Sequence, residues 1–289
     1  LVVVVLLIVA DLVGVGSRYL GQDKWRGNKP TELSASAANI EIAKDKDLGY
    51  RVLDMDHFGS ATASYFHRSV DGYHGAKLGR YQDVIDRYLR KFDGEVLAAL
   101  NTRYAIYNGE ALPIEAVTGE SPFGAAWFVA ETSKAESARD ALDRLGYEDL
   151  YNRAIVEGAD VADTYDCSGD IELVEYAPNY LRYEYGSPAE ALALFSEIYY
   201  PDGWTAYIDG VEADYFTADY ILRAMELPAG KHTVEWRFQA PNWGVASAIT
   251  GISSWLILIA LLLLLTAPLS KRYVVPHIVS WYNSKRLKK

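Results

Sequence analysis

The stretch that decides the architecture runs from Gly244 to Leu269 and reads GVASAITGISSWLILIALLLLLTAPL. It contains no charged side chain. At about 1.5 Å per residue, its helix is longer than the roughly 30 Å hydrocarbon core of a bilayer. A spanning segment must be helical because lipid cannot satisfy free backbone groups. The sequence therefore predicts a transmembrane helix at 244–269.

The residues after this stretch set its predicted orientation. Residues 270–289 carry six basic side chains and no acidic one, whereas the whole chain has a net charge of −11. The positive-inside rule places such a tail in the cytoplasm, so residues 17–243 are expected outside it. Phosphate neutralisation needs clustered Lys and Arg, so the acidic body argues against nucleic-acid binding.

The N-terminal residues are also apolar. Residues 1–9 form an unbroken apolar run that Asp11 ends, without an initiator Met or a basic region before it. About 16 apolar or small residues are slightly short for a full span. We expect residues 1–16 to be the end of a truncated transmembrane helix, with a trimmed signal or anchor segment as the alternative.

Turn signals divide the last third of the outer region into strands. Two pairs of predicted strands flank Pro178-Asn179 and Asp209-Gly210, and a third pair flanks Pro228-Ala229-Gly230. Asp-Gly between alternating apolar residues is a strong hairpin signal. Strands at this spacing predict an antiparallel β-sandwich over 161–243.

The preceding region, 17–160, mixes helical and strand periodicity. Residues 79–92 carry apolar side chains at helical spacing, and residues 133–145 do the same before Gly146, a predicted C-cap. Short apolar runs at 50–53, 104–107 and 127–130 favour strands. The expected fold is thus a membrane-anchored α+β outer region followed by the sandwich and the C-terminal helix.

Several stretches resemble one protein family in that family's order. They are DLVGVGSRYL, SYFHRSVDGYHGAKLGRYQDVID, LNTRYAIYN, GAAWFV and the hairpin segment FSEIYYPDGWTAYIDGVEADYFTADYILRAMELPAGKHTVEWRF. The chain resembles the C-terminal part of the YfhO family of bacterial polytopic membrane proteins, which are similar to GT-C glycosyltransferases. The resemblance implies a location in the bacterial inner membrane and transfer of a sugar from a polyprenyl-phosphate carrier to a cell-envelope acceptor.

The resemblance also implies where the chemistry lies. GT-C catalytic carboxylates usually belong to the first outer loop, so no catalytic residue and no cofactor are expected within this chain. The expected partners are membrane lipid, lipid-linked sugar, envelope glycan and a missing N-terminal transmembrane region. The alternative is a stand-alone membrane-anchored module that binds glycan or protein without catalysis.

One Gly-rich stretch is the candidate substrate-binding segment. Tyr and His present an apolar face with a polar tip, and a Lys can meet a phosphate. The candidate residues are Tyr65, His67, Asp71, Tyr73, His74 and Lys77. The other interpretation is a loop whose polar groups are solvated while it packs under the helix after Gly79.

Metal and hydrolytic sites are not predicted. The histidines His57, His67 and His74 lack metal-ligand spacing, and the acidic run from Asp160 to Asp170 lacks the spacing of a calcium loop. No Gly-x-Ser-x-Gly elbow occurs. An autonomous hydrolase that depends on Asp54 or Asp71 is the third and least supported hypothesis.

Overall fold

The computed structural model describes residues 2–20, 33–269 and 277. Its helices are α1 (Val2–Leu20), α2 (Ala37–Ile42), α3 (Ala61–Phe66), α4 (Gly79–Arg87), α5 (Gly94–Ala99), α6 (Ile114–Thr118), α7 (Ala138–Arg144) and α8 (Trp243–Leu269), with a 3₁₀ turn at Leu89–Lys91. Apart from His277, the predicted basic tail at 270–289 lies outside the described residues.

Fourteen strands form three sheets within the described ranges. They are β1 (Arg51–Asp54), β2 (Thr102–Tyr107), β3 (Glu110–Pro113), β4 (Ala126–Val129), β5 (Glu131–Lys134), β6 (Arg153–Val156), β7 (Asp170–Ala177), β8 (Tyr180–Ser187), β9 (Ala191–Ile198), β10 (Trp204–Ile208), β11 (Val211–Ala213), β12 (Phe216–Ala218), β13 (Leu222–Leu227) and β14 (Gly230–Phe238). The sheet orders are β1-β2-β3, β11-β10-β14-β8-β7 and β4-β9-β13-β12-β6-β5. All pairs are antiparallel except β1/β2 and β5/β6.

The five- and six-stranded sheets share one hydrophobic core. Phe195 of β9 contacts Tyr183 of β8 and Trp236 of β14, with ring centroids 4.9 and 5.1 Å apart. The other face of the six-stranded sheet packs against α4, α5 and α7 through a second buried cluster. Because β9 is covered on both faces, its sequence ALALFSEI is nearly continuously apolar rather than alternating.

The structure confirms the α+β content and the antiparallel sheets. The six-stranded sheet contains β4, β5 and β6 from before the boundary predicted at 160/161 and β9, β12 and β13 from after it. The two regions therefore share a sheet, and their folding is coupled through it.

The hairpin at Asp209-Gly210 is confirmed. Ile208 pairs with Val211, and the two turn residues have φ of 50° and 81°. A two-residue turn with positive φ at both positions matches the twist of the flanking strands. The Pro178-Asn179 hairpin between β7 and β8 is also confirmed.

Gly210 is a test of that turn. We expect Gly210→Ala to lower the free energy of unfolding by about 1 kcal/mol, because alanine is disfavoured at positive φ. Gly79→Ala is the control, since Gly79 begins α4, the space that a Cβ would occupy there is open, and alanine favours helix. Urea unfolding of the detergent-solubilised chain measures both, and an equal effect of the two substitutions would contradict this account of the turn.

Two local predictions were wrong. β13 and β14 do not pair across residues 228–230; β13 pairs with β9 and β12, and β14 with β10 and β8. The Pro-Ala-Gly segment instead carries the chain from one sheet to the other, which lets β13 be buried on both faces. The turn residues did not predict this, because the partners of β13 and β14 depend on tertiary contacts and not on local turn chemistry.

The second wrong prediction is a single helix over 133–145. Residues 131–134 form β5, and α7 begins after Ser137, whose hydroxyl accepts a hydrogen bond from the Asp140 N–H at 3.1 Å. Nor is Gly146 the C-cap, which is Leu145. A Cβ at Gly146 would lie 2.7 Å from Cε1 of Tyr88, so this position is small because a ring packs there.

The C-terminal helix agrees with its prediction. Among the described residues, one helix is long and apolar enough to cross a membrane, and it spans Trp243–Leu264 within α8. Its side chains that the structure describes are exposed. The prediction that residues 1–16 end a truncated spanning helix stays a prediction; of these, residues 2–16 lie in α1, which continues to Leu20.

Candidate functional site

The predicted substrate-binding segment leaves β1, forms α3 and returns beside β1. The Ser60 hydroxyl caps α3 by accepting from the Thr62 N–H at 3.0 Å, and the helix ends at Phe66 with His67 as its C-cap. The Val52 N–H donates to the Arg68 carbonyl, and the Val70 N–H donates to the Val52 carbonyl. These bonds align residues 68–70 with β1 and so fix the position of the segment.

His67 is the predicted residue that lines a groove. Its Nε2 lies 2.8 Å from Oδ1 of Asn39, an acceptor, so we assign the ring proton to Nε2. Burial lowers the pKa of His67, and the Asp54 carboxylate only partly opposes this. The imidazole is therefore neutral at pH 7 and serves as a hydrogen-bonding group rather than a cation.

The groove has a volume of about 330 Å³ and mixed chemistry. Its lining residues are Ala43, Asp45, Lys46, Asp47, Leu48, Tyr50, Phe66, His67 and Arg68. The Arg68 guanidinium lies 3.5 Å from the centroid of the Tyr176 ring, a cation–π contact that fixes its orientation. Aromatic rings, carboxylates and a guanidinium are suited to a polyhydroxylated or phosphorylated ligand.

Asp45, a carboxylate in the wall of the groove, is held by hydrogen bonds and by an ion pair with Arg103. Burial favours a higher pKa for Asp45, but hydrogen bonds from the Asp47 N–H, Arg103 and Tyr104 outweigh it and lower the pKa. The Arg103 guanidinium and the Tyr104 hydroxyl each lie 2.9 Å from Oδ2 of Asp45. Asp45 is thus ionised at pH 7 and fixes the wall of the groove to β2.

A second groove of about 560 Å³ adjoins the first across residues 46–48. It reaches β2 at Arg103, the segment 123–126 and residues 171–174 of β7. β4 and β7 are the edge strands of their sheets, so this groove lies where both sheets end. The two grooves thus share the 46–48 loop as a common wall.

The other predicted residues hold the loop or face solvent. Asp71 accepts from the Ser69 hydroxyl and the Gly59 N–H, and Lys77 donates to the Gly72 carbonyl at 2.7 Å. Nδ1 of His74 accepts from the Ala76 N–H at 3.1 Å. Tyr65 and Tyr73 are 58% and 78% exposed. Among the hydrogen bonds of the described residues, none joins two of the six predicted residues.

A carboxylate–imidazole pair lies at the end of β1. Asp54 is buried, and its carboxylate accepts from the His57 N–H at 3.0 Å and lies 3.1 Å from Nδ1 of the same residue. The site lies at the carboxyl end of the parallel pair β1/β2, where ligands often bind in α/β sheets. Such a pair orients an imidazole, but among the described residues no nucleophilic side chain is hydrogen-bonded to it.

Sequence reasoning missed most of the groove. Asp45, Tyr50 and Arg68 were not selected because their partners, Arg103 and Tyr176, are far away in sequence. The acidic pair at Asp45 and Asp47 before an aromatic residue was the available signal. Among the described residues, no group of three or more His, Cys, Asp or Glu side chains is placed to hold a metal ion.

The fold and the grooves define an α+β protein with mostly antiparallel sheets and a C-terminal helix that could span a membrane. Comparison with known protein families, curated proteins and solved structures finds no match to this chain.

Proposed function

We propose that this chain is the C-terminal extracytoplasmic region and last membrane helix of a YfhO-like polytopic glycosyltransferase. The whole enzyme transfers sugar from a polyprenyl-phosphate carrier to a cell-envelope acceptor at the bacterial inner membrane. The catalytic residues belong to a membrane region outside this chain. The region described here binds or orients the carrier lipid or the acceptor.

The observation that carries the proposal is the position of α8. Four residues separate the end of β14 from this helix, which is long and apolar enough to cross a bilayer. The basic residues that follow favour a cytoplasmic C-terminus and leave the sheets outside. The ordered resemblance to YfhO proteins supplies the reaction class, and the adjoining grooves supply a surface of suitable chemistry.

The reading frame upstream of Leu1 tests the polytopic architecture. We expect further spanning helices there, with an acidic residue in the first outer loop. Membranes that contain the whole protein should transfer radiolabelled sugar from its polyprenyl-phosphate carrier to an envelope fraction. A start codon and a signal sequence directly upstream, without spanning helices, would exclude this function.

Tyr73 provides a matched test of ligand binding. We expect Tyr73→Ala to weaken binding of a short-chain polyprenyl-phosphate sugar about tenfold, because an aromatic contact contributes about 1.4 kcal/mol. The chain is placed in lipid nanodiscs and titrated calorimetrically. Tyr147→Ala is the control, since Tyr147 is 72% exposed on the loop after α7 and is not in the predicted segment. Equal effects of the two substitutions would contradict a binding role for the 65–77 segment.

The alternative function is a stand-alone membrane-anchored binding module. The observation that favours it is the pair of extensive buried clusters, one between the two large sheets and one between the six-stranded sheet and its helices. This module is expected to bind envelope polysaccharide tightly without other membrane segments. Calorimetric titration of this chain alone with soluble envelope glycans separates the hypotheses, because the glycosyltransferase proposal expects weak or no binding in that experiment.

A further inference from the structure

At the end of the five-stranded sheet next to α8, two short connections, 178–179 and 199–203, are hydrogen-bonded to the end of β14 and the residue after it. The Gln239 N–H donates to the Gly203 carbonyl at 2.8 Å, and the Phe238 N–H donates to the Asn179 carbonyl at 2.9 Å. Gly203 has φ of +104°, and a Cβ there would lie 2.8 Å from the Gln239 carbonyl oxygen. The 199–203 loop is thus held by backbone contacts to the segment that leads into the helix.

We propose that Tyr200, Pro201 and Trp243 form a lipid-docking surface that rests on the outer headgroup layer of the membrane. This inference depends on the membrane anchoring of α8 under the proposed function. The sheets are then not connected to the membrane through α8 alone. They contact the bilayer through a defined end.

The length of the link supports the contact. Because Gln239 is bonded to Gly203, residues 240–242 alone separate this attachment from the first residue of α8. The four Cα–Cα steps from Gln239 to Trp243 span at most about 14 Å. A bilayer is about 40–45 Å thick in total and its hydrocarbon core is about 30 Å thick, so each headgroup layer is about 5–8 Å deep. The 199–203 loop therefore cannot lie far from the headgroups when α8 spans the membrane.

The chemistry of this end also fits an interface. Trp243 is 71% exposed and Tyr200 is 37% exposed, and Pro201 is exposed beside it. Trp and Tyr concentrate at membrane–water boundaries because each ring is apolar with a polar tip. Residues 238–269 contain no charged side chain. Trp243 lies on this uncharged segment, whereas Tyr200 and Pro201 lie beside the exposed Asp202, whose carboxylate can remain hydrated in the headgroup layer. Exposed aromatic rings next to a spanning helix are more stable against lipid than in water.

The opposite end of the same sheet is different. Around the start of β14, Lys231 and His232 lie in a groove with Asp170, Glu172, Glu184 and Asp209. β14 has nine residues, so its two ends lie about 26 Å apart along the strand. The end beside α8 carries Asp202 and Arg237 and is the less charged of the two, so it is the end better suited to lipid.

Depth-dependent quenching tests the proposal on the full chain. Single-cysteine variants are made in a Cys167→Ser background, because Cys167 is exposed and is the one cysteine. A fluorophore is attached at Asp202→Cys in the loop, at Ala229→Cys at the charged end, or at Ala260→Cys within α8. The proteins are reconstituted in phosphatidylcholine–phosphatidylglycerol vesicles that contain lipids spin-labelled at the headgroup or deep in the chain.

The expected pattern is specific to each position. Headgroup spin labels should quench the Asp202 probe severalfold more than the Ala229 probe, and deep labels should quench the Ala260 probe. Adding Tyr200→Ser and Pro201→Ser should reduce the quenching at position 202 without changing that at 260. These two residues are partly or fully exposed, so folding should persist, and an unchanged circular dichroism spectrum checks it.

The outcomes distinguish the two proposals. Quenching at 260 with equally weak quenching at 202 and 229 overturns the docking surface and leaves the anchor in place. No quenching at 260 overturns the anchor and the docking surface together. Protection of the 202 probe from both lipid labels and aqueous iodide assigns this surface to a protein contact and overturns lipid docking.

Discussion

Replacing Asp219 by asparagine is expected to make the protein more stable at pH 8 and no more stable at pH 4. Asp219 is buried in the turn between β12 and β13, and its Oδ1 accepts from the Ile155 N–H at 2.8 Å. Oδ2 has no hydrogen-bond partner among the described residues. Burial raises the pKa of this carboxyl to about 8, and the Ile155 N–H only partly opposes that rise.

The neighbourhood explains why the proton is retained. Beside Asp219 is a cavity of about 10 Å³ whose other lining residues are all apolar: Val96, Ala99, Leu100, Leu145, Leu150, Ile221 and Leu222. An ionised carboxylate in such surroundings lacks the solvation that it has in water. Glu95 and Glu148 raise the pKa further by charge repulsion. The neutral acid is therefore the form that the fold accommodates.

The sign of the pH effect follows from proton binding. Below pH 3.8 the carboxyl is protonated in the folded and unfolded states, so ionisation contributes nothing. Between pH 3.8 and about 8 the unfolded state loses this proton while the folded state keeps it. Stability therefore falls as the pH rises, by about 1.4 kcal/mol per unit and on the order of 5 kcal/mol in total. Asparagine keeps the acceptor for Ile155 and cannot ionise.

Urea unfolding between pH 4 and pH 9 measures this difference. Between pH 4 and about pH 8, the free energy of unfolding of the wild type should fall relative to that of Asp219→Asn. The two curves should cross above pH 4. Asp163→Asn is the reference for the removal of one negative charge, because Asp163 is exposed. Parallel profiles of the wild type and Asp219→Asn would show that Asp219 is ionised in the folded protein.

The features that were predictable from sequence are those that neighbouring residues determine. The apolar stretch at 244–269 corresponds to α8, and the Asp209-Gly210 and Pro178-Asn179 turns lie in hairpins. Each depends on composition or on two adjacent residues with defined backbone preferences. The same logic failed at residues 228–230, because the partner of β13 is chosen by burial on two faces.

The interior polar groups were not predictable because their partners are distant. Arg51 and Glu197 are 146 positions apart, and Asp219 meets Ile155 across 64 positions. In the candidate site, His67 was selected from its residue type, whereas Arg68 and Asp45 required knowledge of the chain that folds beside them. Local patterns identify elements and turns; charge pairing between elements depends on the finished topology.

Glu197 illustrates this dependence and gives the second large expected effect. Its carboxylate lies beside the partly buried Arg51 and the buried Arg223. Oε1 lies 3.4 Å from the Arg51 guanidinium, and the charge of Glu197 raises the pKa of Arg223 against the lowering by burial. Arg51 also donates to the Leu100 carbonyl at 2.9 Å. The pair joins β1 of the small sheet to β9 of the six-stranded sheet.

Arg223 depends on the same carboxylate for charge balance. Its guanidinium carbon lies 4.3 and 4.9 Å from the ring centroids of Trp204 and Trp236, and its Nε donates to the Ile198 carbonyl at 3.1 Å. One terminal nitrogen has no hydrogen-bond partner among the described residues. Burial lowers the pKa of Arg223, so the loss of Glu197 would leave a poorly compensated charge in the core.

We therefore expect Glu197→Gln to lower the free energy of unfolding by about 3 kcal/mol, because it removes the carboxylate from a mostly buried ion pair and leaves the charges of Arg51 and the buried Arg223 uncompensated. Glu190→Gln is the control, since Glu190 is exposed just before the same strand and its replacement should change stability by less than about 0.5 kcal/mol. A double-mutant cycle with Arg51→Met isolates the coupling. Because Arg51→Met removes the stranded charge, adding it to Glu197→Gln should cost less than it costs in the wild type. Strictly additive losses would mean that the two side chains contribute independently and that the junction between the sheets is held by packing alone.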